Sequence, residues 1–172
     1  MDVRRNVGAP RIAVHSRDLM PPSIKIVRAD SSHPDFVSLV RMLDLELAER
    51  DGEEHSFYAQ YNKIEAIKHV VLAYIDEKPL GCGALKQFGP STMEIKRMYV
   101  PPSGRKKGIA SRVLSELELW ALELSCAKCV LETGRRQPEA IALYRKTGYT
   151  QIPNYGQYAG MENSICFEKN LT

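Results

Sequence analysis

No stretch of this 172-residue chain approaches the ~20 consecutive apolar residues that a bilayer-spanning helix needs. The N-terminus also lacks the short apolar segment of a secretory signal, so the cytoplasm is the expected compartment and no membrane is an expected partner. Net charge is only +3, and no basic stripe interleaved with aromatic residues occurs, which argues against nucleic acid as a partner. The four cysteines include one Cys-x-x-Cys spacing, Cys126 and Cys129, but no second cysteine or histidine pair stands where it would complete a four-ligand zinc site. With Cys82 and Cys166 they read as small apolar core residues, and no metal is expected. Neither an internal repeat nor a low-complexity segment interrupts the chain. Hydrophobic and charged residues, 44% and 26%, stand at ordinary globular proportions.

The chain divides unevenly. Residues 1–19 are arginine-rich and poor in large apolar residues, and read as a flexible, non-catalytic extension. Residues 20–172 read as one domain, long enough to bury a core without staples. Ile24 to Arg28 reads as a strand. Ser32-His33-Pro34-Asp35 offers a helix start, and Phe36, Leu39, Val40, Leu43 and Leu47 follow at helical spacing until Asp51-Gly52. His55 to Ile67 predicts a second, irregular helix. Two strands, Val70–Ile75 and Leu80–Leu85, form a hairpin, and a turn at Gly89–Thr92 delivers a third. These are antiparallel neighbours. A later helix predicts buried Val113, Leu117, Trp120 and Leu124, with Glu116, Glu118 and Glu123 exposed. It leads into a strand at Cys129–Glu132, and a strand–helix–strand crossover makes a parallel pair. The last strand is expected at Ser164–Glu168. The sum is an α/β chain with a mixed sheet, antiparallel at first and parallel later.

The most informative segment is residues 94–110, Glu-Ile-Lys-Arg-Met-Tyr-Val-Pro-Pro-Ser-Gly-Arg-Lys-Lys-Gly-Ile-Ala. An alternating strand stops at Pro101-Pro102, because proline cannot extend a ladder. A basic, glycine-containing loop then opens into a helix, whose first N–H groups and positive dipole end suit an anion. Arg105, Lys106 and Lys107 add charge there. The segment is neither a P-loop, since Gly108 is followed by Ile109 and Ala110, nor a three-glycine dinucleotide fingerprint.

It resembles the acetyl-CoA loop of the GNAT superfamily of N-acetyltransferases, Arg/Gln-x-x-Gly-x-Gly/Ala, through Arg105-Lys106-Lys107-Gly108-Ile109-Ala110. A second stretch, Ala140-Ile141-Ala142-Leu143-Tyr144-Arg145-Lys146-Thr147-Gly148-Tyr149, is similar to that family's fourth-helix signature. The resemblance covers roughly residues 24–170. It implies a sheet whose parallel pair splays apart around the cosubstrate, usually through a β-bulge in the first strand of the pair. It further implies acetyl-CoA as cosubstrate, with contacts from the main chain of Met98, Tyr99 and Val100 and from the loop through Ser111. Gln137 stands where the family often has asparagine.

For catalysis the resemblance assigns Tyr144 as the group that hydrogen-bonds the CoA sulfur and protonates the leaving thiolate. From helix position alone, Tyr144 reads as a core residue packed on the sheet. Glu94 and Glu132 are the two candidate bases, and Glu94 is favoured because plain alternation places it on the face of Met98 and Val100. Phe57, Tyr58 and Tyr61, with Tyr155 and Tyr158 from the 152–163 segment, are expected to wall an acceptor pocket. The expected activity is acetyl transfer to the primary amine of a small molecule or peptide N-terminus, by direct attack in a ternary complex. No cysteine–histidine arrangement supports a covalent enzyme intermediate. A non-catalytic acyl-CoA-binding regulatory module is the competing class, and a binder of another phosphorylated ligand a third. A homodimer is an admissible assembly.

Overall fold

The computed structural model describes residues 22–64 and 66–171, so the proposed extension at residues 1–19 lies outside the described residues. The chain runs β1 (Lys25–Ala29), α1 (Pro34–Asp51), α2 (His55–Ala59), β2 (His69–Ile75), β3 (Lys78–Gly89), β4 (Thr92–Tyr99), α3 (Ile109–Glu123), β5 (Lys128–Gly134), α4 (Pro138–Lys146), β6 (Thr150–Ile152) and β7 (Ser164–Asn170). The strands form one seven-stranded sheet in the order β1-β2-β3-β4-β5-β7-β6. Only β4 and β5 pair in parallel; every other neighbour is antiparallel. The mixed sheet expected from the sequence is present.

Local chemistry accounts for the boundaries. Helix α1 begins where the His33 Nδ1 accepts from the Asp35 N–H at 3.2 Å and Pro34 occupies the first helical position. Asp76 and Glu77 both take positive φ between β2 and β3, which gives the turn a twist matched to its strands. Strand β4 ends at Tyr99, one residue before the expected Val100. The second helix is far shorter than expected, closing at Ala59 instead of running toward Ile67. Leu124 lies beyond the end of α3 and is exposed, and Ser125 turns the chain with φ +62°. Leu114 and Ala121 are buried in its place. Glu118 is not free in solvent but pairs with Lys169 at 2.7 Å.

Two apolar layers sandwich the sheet. On one face α3 and α4 cover Val71, Ala73, Leu85, Met93, Ile95, Leu131 and Phe167. On the other, α1 packs Phe36, Leu39, Val40 and Leu43 over Val70, Leu72, Cys82, Ala84 and Tyr99. All four cysteines are buried and unbridged. Helix α3 sits close to β3 because Gly83 has no Cβ: one placed there would lie 2.5 Å from Met98 Sδ and 2.8 Å from Leu117.

One irregularity shapes the site. Cys82 pairs with Tyr99 and Ala84 with Lys96, so the single residue Gly83 stands opposite both Arg97 and Met98. That is a β-bulge, and Arg97 takes φ +56° within it. The bulge resets the alternation. Met93 and Ile95 before it, and Met98 and Val100 after it, all belong to the α3 layer. Arg97 instead reaches Val40 O and Asp44 of α1. Glu94 therefore does not share a face with Met98 and Val100, which corrects the expectation drawn from plain alternation.

Leu117 is fully buried beneath α3. Replacing it with alanine is expected to cost about 2–5 kcal/mol, read as a lower denaturant midpoint at unchanged slope.

Candidate active site

Strands β4 and β5 pair only over Thr92–Glu94 and Lys128–Val130. Beyond those three pairs they part, while β5 stays fully paired to β7 along Lys128–Gly134. The facing edges of β4 and β5 then carry backbone N–H and C=O groups without a strand partner, and such groups demand one. A cleft of about 460 Å³ opens there. It passes through the sheet, so that one half meets α3 and α4 and the other meets α1 and α2.

The half toward α3 has the form of an anion seat. Pro101 to Gly108 carries the chain from β4 into α3, with Lys106 at φ +62° and Gly108 at φ +77°. Gly108 is the residue before α3, and the first intrahelical bond runs from the Arg112 N–H to Gly108 O. The N–H groups of Ile109, Ala110 and Ser111 consequently have no intrahelical acceptor, and all three residues line the cleft. Arg105 lines it too, but its guanidinium is engaged: Nε donates to Val100 O at 3.0 Å and Nη2 to Glu46 at 2.8 Å. Lys107 does not line the cleft and donates to Ser103 O. Met98, Tyr99, Val100 and Gln137, to which the resemblance assigns cofactor contacts, border the cleft.

Tyr144 projects from α4 into the same half. It is 5% exposed, packed edge-on against Tyr149 with ring centres 5.7 Å apart. Burial pushes its phenol well above the usual range, so the hydroxyl keeps its proton throughout the physiological pH range.

The carboxylates lie in the other half. Tyr155 donates to Glu94 Oε1 at 3.0 Å, and Lys96 Nζ stands 3.8 Å from Glu94 Oε2. Glu132, on β5, has an Oε1 that meets no hydrogen-bond partner among the described residues. Desolvation pushes its carboxyl up to about 7, with Ser164 and Lys96 opposing the rise. Asp51, at the end of α1, is buried and also raised by desolvation. Tyr58 and Tyr158 line this half. Phe57, Tyr61 and Tyr155 do not; they support the two lining rings from behind, through edge-on contacts of 5.2–6.2 Å.

A profile of the acetyltransferase (GNAT) family matches residues 37–149. The chain belongs to the GNAT acetyltransferase family. It is 30% identical over 153 residues to an IAA acetyltransferase of Azospirillum brasilense, covering 87% of this chain and 99% of that protein. Its fold is similar to that of a Klebsiella pneumoniae protein described as an acyl-CoA N-acyltransferase, with TM-score 0.72, 25% identity and coverage of 87% and 98%. It is also similar in fold to the PaiA N-acetyltransferase of Thermoplasma acidophilum in complex with coenzyme A, with TM-score 0.64, 19% identity and coverage of 86% and 99%.

Several residues in and around the cleft carry no motif in the sequence. Lys96 stands two positions from Glu94 and shares its face, a period-2 signal that was open to reading. Glu46 and Arg50 sit among solvent-type residues of α1 and carry no comparable mark. Glu46 nonetheless holds Arg105 and Arg50 together, and Arg50 pairs with Glu139 of α4. Arg136 donates to Asp51 O at 2.8 Å. Helix α1 thus ties the β4 side of the cleft to the β5 side.

The charge on Glu132 has a consequence for stability. The unfolded chain releases this proton near 4.5, whereas the folded chain holds it to about 7. Stability is therefore lost as pH rises between those values, by at most roughly 3 kcal/mol. Glu132→Gln is expected to melt higher than the parent at pH 8, with the two curves converging below about pH 4.

Proposed function

We propose that this protein transfers the acetyl group of acetyl-CoA to the primary amine of a small molecule or peptide N-terminus, by direct attack in a ternary complex. The observation that carries the reading is the cleft through the sheet, with a proton donor in one half and a base near neutrality in the other. Acetyl-CoA supplies an acyl thioester. Its pyrophosphate suits the free N–H groups of Ile109, Ala110 and Ser111, and its amide-bearing arm suits the unpaired edge of β4 at Met98, Tyr99 and Val100. Gln137 borders the same half, and Lys106 adds charge at the loop.

Glu132 is the base we favour over Glu94. Its carboxyl is poised near 7, has a free oxygen and faces the acceptor half, whereas Glu94 is already engaged by Tyr155 and Lys96. An ammonium entering between Glu132, Glu94 and Asp51 is attracted by their charge, and Glu132 accepts its proton, directly or through one water. Tyr144 donates to the sulfur as it becomes a thiolate. The two proton transfers occur on opposite sides of the sheet, so the groups do not neutralise one another beforehand.

Tyr58 and Tyr158 give the acceptor half an apolar wall, which suits an amine carried on an apolar or aromatic body. The A. brasilense relative is named for IAA, and structures of similar fold include an aminoglycoside 6'-acetyltransferase, so amine-bearing small molecules of both characters belong in a substrate panel.

The test is titration calorimetry with acetyl-CoA beside free-thiol release across such a panel. Binding with thiol release for one amine class is the expected result; binding with no release from any amine would instead favour a regulatory acyl-CoA-binding module. Tyr144→Phe is expected to lower kcat about 100-fold or more while leaving acetyl-CoA affinity within a few-fold. In the parent, kcat/KM is expected to rise with pH through about 7. Glu132→Gln should flatten that limb, and a limb that persists would remove Glu132 from the role.

A further inference from the structure

The acceptor half of the cleft contains an amine of its own. Lys96 is the second residue of β4 after pairing with β5 ends, and its side chain lines the cleft while being only 9% exposed. Its nearest carboxylate oxygen, Glu94 Oε2, stands at 3.8 Å, beyond hydrogen-bond length. Other lysines are engaged elsewhere: Lys128 and Lys169 hold glutamates at 2.9 and 2.7 Å, and Lys107 donates to Ser103 O. Lys106, which also borders the cleft, is exposed in the loop at the anion-seat end. Among the described residues, Lys96 is the lysine that combines burial with a place in the acceptor half beside a carboxylate.

The surroundings favour the neutral amine more than water does. Burial lowers the Lys96 amine from its usual range, helped by Lys86 and Arg97, while Glu94 and Glu132 act in the opposite direction. A buried lysine that releases its proton readily is a nucleophile.

We propose that Lys96 is an acyl acceptor of this enzyme: when no other amine fills the acceptor half, the acetyl group passes from acetyl-CoA to Lys96 Nζ. The inference rests on the acetyltransferase reading above. The lone pair of neutral Nζ attacks the thioester carbonyl carbon, a C–N bond forms and the C–S bond breaks. The proton lost from nitrogen goes to Glu132, and the departing thiolate takes one from Tyr144, leaving N-acetyl-lysine and free CoA. The product removes the cation beside Glu94 and fills the acceptor half with an amide. Self-acetylation thereby acts as a brake that a productive amine relieves by competition.

The experiment is intact-mass and peptide-mapping mass spectrometry on the full chain, before and after incubation with acetyl-CoA alone. One acetyl group per chain is expected at Lys96, absent in Lys96→Arg and formed about tenfold or more slowly in Glu132→Gln. Excess of an amine that the enzyme turns over is expected to suppress it. Labelling of Lys96 no faster than that of exposed Lys25, or equally fast after heat unfolding, would overturn the inference. So would an unmodified Lys96 in protein that still acetylates free amines, a result that leaves the acetyltransferase reading standing. Failure of both labelling and amine turnover would remove the two together.

Discussion

Three residue pairs hold β4 to β5, and then the strands part. Nearly everything functional about this molecule follows from that departure, because a sheet cannot leave backbone N–H and C=O groups unpaired without giving them another partner. The bulge at Arg97 and Met98 is the local cause on the β4 side. It adds a residue opposite Gly83, sharpens the twist and turns the strand away from β5. On the β5 side, continuous pairing with β7 keeps the strand straight and prevents it from following.

An opening of this kind needs bracing, and α1 supplies it. Glu46 engages Arg105 of the loop that follows β4, while the end of α1 meets Arg136 and Glu139 around the start of α4. These contacts span the mouth of the cleft. Individually they are partly exposed ion pairs of modest worth, but they join elements that the sheet itself no longer joins. Arg97 adds a buried link from the bulge to α1 through Asp44 and Val40 O.

The cleft also sorts charge. Its α3 half offers backbone N–H groups and a helix N-terminus, and its α1 half holds Glu94, Glu132, Asp51 and Lys96. Desolvation acts on both halves, raising Tyr144 and Glu132 alike. For Tyr144 the effect keeps the phenol protonated, and for Glu132 it brings proton exchange near neutral pH. In the proposed reaction Tyr144 still carries the proton that it gives to the departing thiolate, and Glu132 takes one from the amine.

Much of the fold was legible because its signals are local. Prolines ended β4, the glycine-containing basic loop opened α3, and Tyr144 stood in a recognisable helix. Residues 152–163 were expected to place Tyr155 and Tyr158 at an acceptor pocket, yet only Tyr158 among them reaches the cleft as a lining ring. Tyr155 turned out to hold Glu94, and Phe57 and Tyr61 to support their neighbours, since aromatic content does not say which ring faces inward. Arg105 was expected at the cofactor, and the contacts that hold its guanidinium, Val100 O and Glu46, include a partner 59 residues away that spacing does not reveal.

The sequence by itself determined the mixed α/β class, the order of the elements from β1 to β7 apart from the short β6, and the loop-to-helix step between β4 and α3. These depend on residue type and spacing within a few turns or pleats. Only the tertiary structure decided which face Glu94 occupies, that desolvation raises the Glu132 carboxyl to about 7, and that Lys96 lies buried beside Glu94. A one-residue bulge reverses alternation without leaving a mark in composition, and desolvation is a property of what packs around a group, not of the group's neighbours in the chain.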